Sequence, residues 1–254
     1  MLPLTDSSTA NPSWVDLDVT GETMPAFVAR PCDATRGGVI VIQEIFGVNA
    51  DMQRAAALLA DEGYLAIVPA IFHRTDPHFE AEHDDTGFAK GRAAAGALDL
   101  AQLVADLTAA ADYLRAQLGG DAKIATWGFC FGGSVAFLSA TLPFVAAAVS
   151  FYGGQTARSN VPTRPPLIQL TPEIQAPLLL VFGGRDASIP QGDVDAIRAA
   201  LEAHAKQFEL RVHPDEDHAF FRPGPQKNDG ARDVWPRVLA FLAEHVRAPA
   251  EHTG

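Results

Sequence analysis

The hexapeptide Gly128-Phe129-Cys130-Phe131-Gly132-Gly133 constrains the fold of this chain more than any other stretch. An apolar run over 123–127 leads into it, and a small-residue apolar run over 134–142 leads out. That order predicts a strand, a sharp turn and a helix, with one reactive side chain at the bend. The spacing is that of a G-x-S-x-G nucleophile elbow with cysteine in place of serine. Such a turn strains the backbone at the nucleophile and needs small neighbours. The N–H of the next residue, Phe131, would open the helix and point at a developing oxyanion. A buried, unpaired cysteine in an ordinary strand-to-helix turn fits the same six residues, so other parts of the chain must decide.

The flanking sequence predicts the sheet that an elbow needs. Alternation over 14–19 and a second apolar run over 25–30, separated by Gly21, predict an antiparallel hairpin. Residues 1–13, polar with two prolines, are expected to form a loose tail. The runs 38–42 and 65–69 are continuously apolar, as in strands buried on both faces, and 51–62 between them is helical with Gly63 as its stop. This is a βαβ unit, hence a parallel sheet. Residues 70–87 form a polar loop carrying His73, Arg74, His78 and His83; their spacing matches no named metal motif. A long helix from Leu100 ends at Gly119-Gly120. Strands are expected at 145–152, 178–182 and 209–213, a helix carries Val194, Ile197 and Leu201, and an amphipathic helix closes the chain at 234–246. The proline-rich segment 155–175 is expected to be a surface excursion or part of a lid. No break in composition interrupts the alternation, so the whole chain, 1–254, reads as a single doubly wound α/β domain.

Given the elbow, the remaining partners follow a fixed chain order: nucleophile, acid, histidine, the last two each just past a strand. Asp186 follows the strand at 178–182, and His218 follows the strand at 209–213. Asp186 also fits a turn or N-cap role, Asp193 competes as the acid, and His213 competes as the base. A thiol is intrinsically very nucleophilic, so cysteine suits the position: His218 would take its proton and Asp186 would hold the imidazole tautomer.

Charge and cysteine content narrow the partners. The 254 residues carry 19 basic and 31 acidic side chains, net −12, which disfavours nucleic acid and anionic membrane surfaces. Two cysteines, Cys32 and Cys130, are too few for a disulfide framework. The N-terminal stretch lacks a basic segment followed by an apolar one, and no run reaches the length of a membrane span. A cytoplasmic protein is expected.

Five stretches together resemble the dienelactone hydrolase family (carboxymethylenebutenolidases) of the α/β-hydrolase fold. They are V-I-Q-E-I-F-G-V-N at 41–49, I-F-H-R at 71–74, G-F-C-F-G-G at 128–133, G-G-R-D at 183–186 and D-H-A-F-F-R at 217–222. The resemblance implies Cys130, Asp186 and His218 as the triad, with Glu44 acting on the resting thiol. It implies an oxyanion hole from the backbone N–H groups of Ile45 and Phe131. Arg74 and Arg222 would grip the carboxylate of a lactone acid. The implied reaction opens the enol-lactone ring of dienelactone to maleylacetate, in the catabolism of chlorinated aromatics, without a cofactor or metal. Two other readings stay open: a broader esterase acting on neutral esters, and a non-catalytic redox or binding protein that uses Cys130.

Overall fold

Strands and helices alternate throughout the computed structural model, which describes residues 10–33, 35–159, 165–222 and 224–246. β1 (Asn11–Val19) and β2 (Glu22–Arg30) form the expected antiparallel hairpin. Its turn places Thr20 and Gly21 at φ 54° and 90°, the left-handed pair that matches strand twist in tight hairpins. β1 begins at Asn11, so 11–13 belong to a strand and not to a loose tail; residues 1–9 lie outside the described residues. Cross-strand partners explain the longer strand: Arg30 donates to Ser13 Oγ at 2.6 Å, and Trp14 meets Phe27 edge-on.

The chain then runs β3 (Gly37–Ile42), α1 (Ala50–Asp61), β4 (Tyr64–Pro69), α2 (Asp85–Ala97), α3 (Leu100–Leu118) and β5 (Ile124–Phe129). It continues α4 (Phe131–Ser139), β6 (Val145–Phe151), β7 (Leu178–Gly183), α5 (Gln191–Ala203), β8 (Phe208–His213) and α6 (Asp229–His245). The segment 155–175 contains a short 3-10 helix, Leu167–Glu173; residues 160–164 within it lie outside the described residues. α2 starts at Asp85, inside what the sequence suggests is loop, because the Asp84 side chain caps Gly87 N–H at 2.7 Å.

The strands form one eight-stranded sheet in the order β1-β2-β4-β3-β5-β6-β7-β8. β1–β2 and β2–β4 pair antiparallel; every other pairing is parallel. Strand side chains alternate between two cores. Val39 and Val41 of β3 pack with α1, while Ile40 and Ile42 pack with α3. On β5, Trp127 stacks on Trp235 of α6, and Thr126 on the opposite face meets Ser139 of α4. β3 has β4 on one side and β5 on the other, so successive crossovers diverge there. The crevice beyond the C-terminal ends of β3 and β5 is therefore where such a sheet binds ligands. Glu44 follows β3 and Cys130 follows β5.

Candidate active site

Cys130 occupies the bend with φ 54° and ψ −113°, a conformation that costs an L residue about 1–3 kcal/mol. Neighbouring hydrogen bonds hold it: Cys130 N–H donates to Phe151 O at 3.0 Å, and its own carbonyl accepts from Ser134 N–H at 3.2 Å. Gly132 permits the close packing that completes the turn. A Cβ there would lie 2.2 Å from Ile42 O and 2.5 Å from Gln43 O, both backbone atoms. The elbow thus rests against the end of β3, from which Glu44 and Ile45 follow. Gln43 secures that end by accepting Ile71 N–H at 3.1 Å. Phe131 is the first residue of α4, so its N–H is among those the helix leaves without an internal acceptor.

The second partner arrives through another close approach. A Cβ on Gly183 would sit 2.4 Å from Glu216 O, so glycine lets the loop after β8 fold onto the end of β7. Two aromatic anchors fix that loop: Phe220 against Phe151 and Tyr152, and Phe221 against Trp127, Phe129 and Phe151. His218 and Arg222 flank these anchors and so enter the crevice. His218 Nδ1 lies 2.6 Å from Asp186 Oδ2, while Asp186 Oδ1 accepts from Ser188 and Ile189 N–H groups. Burial alone would depress the His218 pKa, but hydrogen bonds to Asp186 and Cys130 and the charges of both outweigh it, raising the value to about 10. Both residues expected to partner the imidazole therefore act on its proton.

Glu44 is fully buried and accepts from Arg222 Nη2 at 2.5 Å; its Oε1 has no protein partner. The Arg222 guanidinium also lies over the Phe46 ring, and its Nε is 3.8 Å from Asp51 Oδ2. Two further residues complete this side of the site. His83 Nε2 lies 4.0 Å from Glu44 Oε2, 3.9 Å from Asp51 Oδ2 and 3.3 Å from Asn49 Nδ2. Asn49 Oδ1 caps α1 by accepting from Asp51 and Met52 N–H groups, so its amide nitrogen is the donor and His83 Nε2 the acceptor. Tyr152, at φ 41°, packs its ring 5.1 Å from that of His218. The sequence places Tyr152 at the end of the buried strand 145–152 and His83 in a solvated loop. The one available signal for Tyr152 is its place at the C-terminal end of a buried strand.

The remaining candidates lie elsewhere. Arg74 donates to Asp106 on α3 at 3.0 Å and to Glu22 at 2.6 Å, and none of its contacts is with the Cys130 group. The second arginine expected at the site is thus held in ion pairs with the fully buried Asp106 and with Glu22. His73 also pairs with Asp106, at 3.3 Å. Of the competing assignments, Asp193 binds Arg158 at 2.6 Å, and His213 faces Asp233 at 3.9 Å. Cys32 is exposed and not bridged to Cys130. Among the described residues, no cluster of three or more potential ligands is arranged to hold a metal ion, and no single helix is long and apolar enough to cross a membrane.

Comparison with known proteins places this geometry. The sequence profile of the dienelactone hydrolase family matches residues 24–246. The chain belongs to the dienelactone hydrolase family. It is 39% identical over 236 residues to the "Putative carboxymethylenebutenolidase" of Salmonella typhimurium, covering 89% of this chain and 84% of that one. It is 38% identical over 246 residues to the protein of the same name from Synechocystis, covering 92% and 99%. The crystal structure of a "Putative Dienelactone Hydrolase" from Klebsiella pneumoniae superposes with a TM-score of 0.81 at 35% identity, over 93% of this chain and all of that one. This family member is accordingly an ester or lactone hydrolase with the α/β-hydrolase fold.

Proposed function

We propose that this hydrolase works through Cys130 as a covalent nucleophile and acts on an enol-lactone or a small ester bearing a carboxylate. The observation that carries the reading is the position of His218, bonded to Asp186 and with its pKa raised by Asp186 and by Cys130, a cysteine held strained at a strand-to-helix bend. The proton shared with Cys130 rests on the His218 imidazole, and the sulfur attacks the carbonyl carbon. The C–S bond forms as the carbonyl electrons move to oxygen, where the N–H groups of Phe131 and Ile45 receive the charge. Collapse breaks the ester C–O bond, and the leaving oxygen takes the proton from His218. Water, giving a proton to His218, then attacks the thioester; the product acid leaves and the thiol is restored. Glu44 acts beside this triad on the resting thiol. Arg222 supplies local positive charge for the substrate carboxylate against an overall charge of −12.

Replacement tests the assignment. Cys130→Ala should lose on the order of 10³-fold or more in kcat, leaving only oxyanion and binding contributions. Cys32→Ala should keep its activity. The reverse pattern would overturn the reading.

A further inference from the structure

Three consecutive acidic residues, Asp215, Glu216 and Asp217, precede His218. Asp215 and Asp217 are exposed, and Asp215 pairs with the exposed Arg185 at 2.5 Å. Glu216 turns inward. Its Oε1 accepts Gly230 N–H at 3.0 Å in the first turn of α6, and its Oε2 accepts from Asn228 Nδ2 at 2.7 Å. A carboxylate there suits the positive end of a 17-residue helix. Gly230 makes room for it: an added Cβ would lie 2.6 Å from Glu216 Cγ. The same Asn228 nitrogen donates to Phe220 O at 3.2 Å, while Asn228 Oδ1 caps α6 by accepting Ala231 N–H at 2.8 Å.

The backbone of Glu216 reaches the opposite loop. Its carbonyl accepts Arg185 N–H at 2.9 Å, one residue before Asp186. His218 lies two residues further along its own loop, and its Nδ1 meets Asp186 Oδ2 across the gap between the two loops at 2.6 Å. Glu216 therefore joins three pieces of the chain: the loop after β7 with the acid, the loop after β8 with the base, and the start of α6. We propose that Glu216 is a positioning residue that sets the His218 imidazole against Asp186 by clamping both loops to α6 through Asn228 and Gly230. This rests on the reading of Cys130, Asp186 and His218 as the catalytic triad. Without the carboxylate, the loop after β8 loses two bonds to α6, and the peptide that ties it to Arg185 is free to move. A displacement of about 1 Å at a catalytic group costs on the order of 10²-fold in rate. The side chain of Glu216 faces α6, so its action on the chemistry runs through His218.

The test compares wild type, Glu216→Ala, Glu216→Gln, Asn228→Ala, the double alanine variant and Asp215→Ala, with para-nitrophenyl acetate as substrate and NMR titration of His218. Glu216→Ala should lower kcat roughly 10- to 100-fold with KM little changed. Its His218 should lose the proton at a lower pH than the value of about 10 in wild type. Glu216→Gln keeps one acceptor and should recover part of both effects. Losses in the double variant should be less than additive, because Glu216 and Asn228 act as one unit. Asp215→Ala should match wild type. If Glu216→Ala does not fold, Glu216→Gln and Asn228→Ala carry the same two readouts. A lower Tm with wild-type kcat and wild-type His218 titration would reduce Glu216 to a structural role and overturn the proposal, as would additive losses or an equal loss in Asp215→Ala. The titration needs no turnover: a wild type that fails to cleave the ester contradicts the proposed function, and the titration still decides whether Glu216 sets the imidazole.

Discussion

Arg222 Nη2 lies 2.5 Å from Glu44 Oε2, although 178 positions separate the two residues in the chain. The contact ties the loop after β8 to the loop after β3, and so holds His218 and the elbow in one crevice. Glu44 is wholly buried, so removing Arg222 strands a charge. Arg222→Ala should destabilise the fold by about 3 kcal/mol, the low end for a broken buried pair because the arginine side chain is 23% exposed. Tm should fall by roughly 6–12 °C. Glu44→Gln combined with Arg222→Ala should recover most of the loss, and calorimetry showing no recovery would count against the pair.

Arg74 should behave differently. Its guanidinium is bonded to Glu22 and Asp106. Arg74→Ala should lower Tm and reduce kcat/KM by the same factor on anionic and neutral esters. A loss confined to the anionic ester would return Arg74 to the substrate-binding role that the sequence resemblance implies.

The imidazole of His218 gives a pH signature. Its pKa in the fold, about 10, lies above the ordinary 6.5. The proton therefore stabilises the folded state fully below about pH 6.5, and that contribution fades as pH rises to about 10. Asp186→Asn removes a hydrogen bond and a charge that help raise the value. In NMR titrations His218 should lose its proton at lower pH in this variant, and the stability advantage of wild type should be larger at about pH 6 than at about pH 10. Coincident titration curves would contradict the Asp186–His218 coupling.

What the sequence could disclose follows from how local each feature is. Cys130 and Asp186 follow apolar runs that fold as buried strands, and His218 follows the half-buried strand β8, so one elbow orders all three. The partner of Arg74 is an aspartate 32 positions away that reads only as helix interior, and the Glu44–Arg222 bond spans most of the chain. Tyr152 ends a buried strand and looks like core; only its positive φ, which turns the ring toward His218, marks it out. The extra strand residues 11–13 depend on Arg30 and Phe27 across the hairpin, contacts that a proline-containing polar stretch does not announce.

Two glycines test whether the elbow depends on close packing. Gly132→Ala would push a methyl group into the Ile42 and Gln43 carbonyls, which cannot move cheaply. It should abolish activity and sharply reduce soluble folded protein. Gly96 in α2 has nothing within 4 Å of an added Cβ, so Gly96→Ala should leave activity intact and add up to about 1 kcal/mol. Denaturant titration of both variants checks the contrast; a stable, active Gly132→Ala would remove the packing argument.

The nucleophile itself is tested most directly by trapping the covalent intermediate. Wild type mixed with excess activated ester is quenched in acid within milliseconds, and intact and peptide masses are measured. An added acyl mass is expected on the peptide containing Cys130, absent from Cys130→Ala and never on Cys32. An acyl group on another residue, or turnover by Cys130→Ala at the wild-type rate, would contradict it.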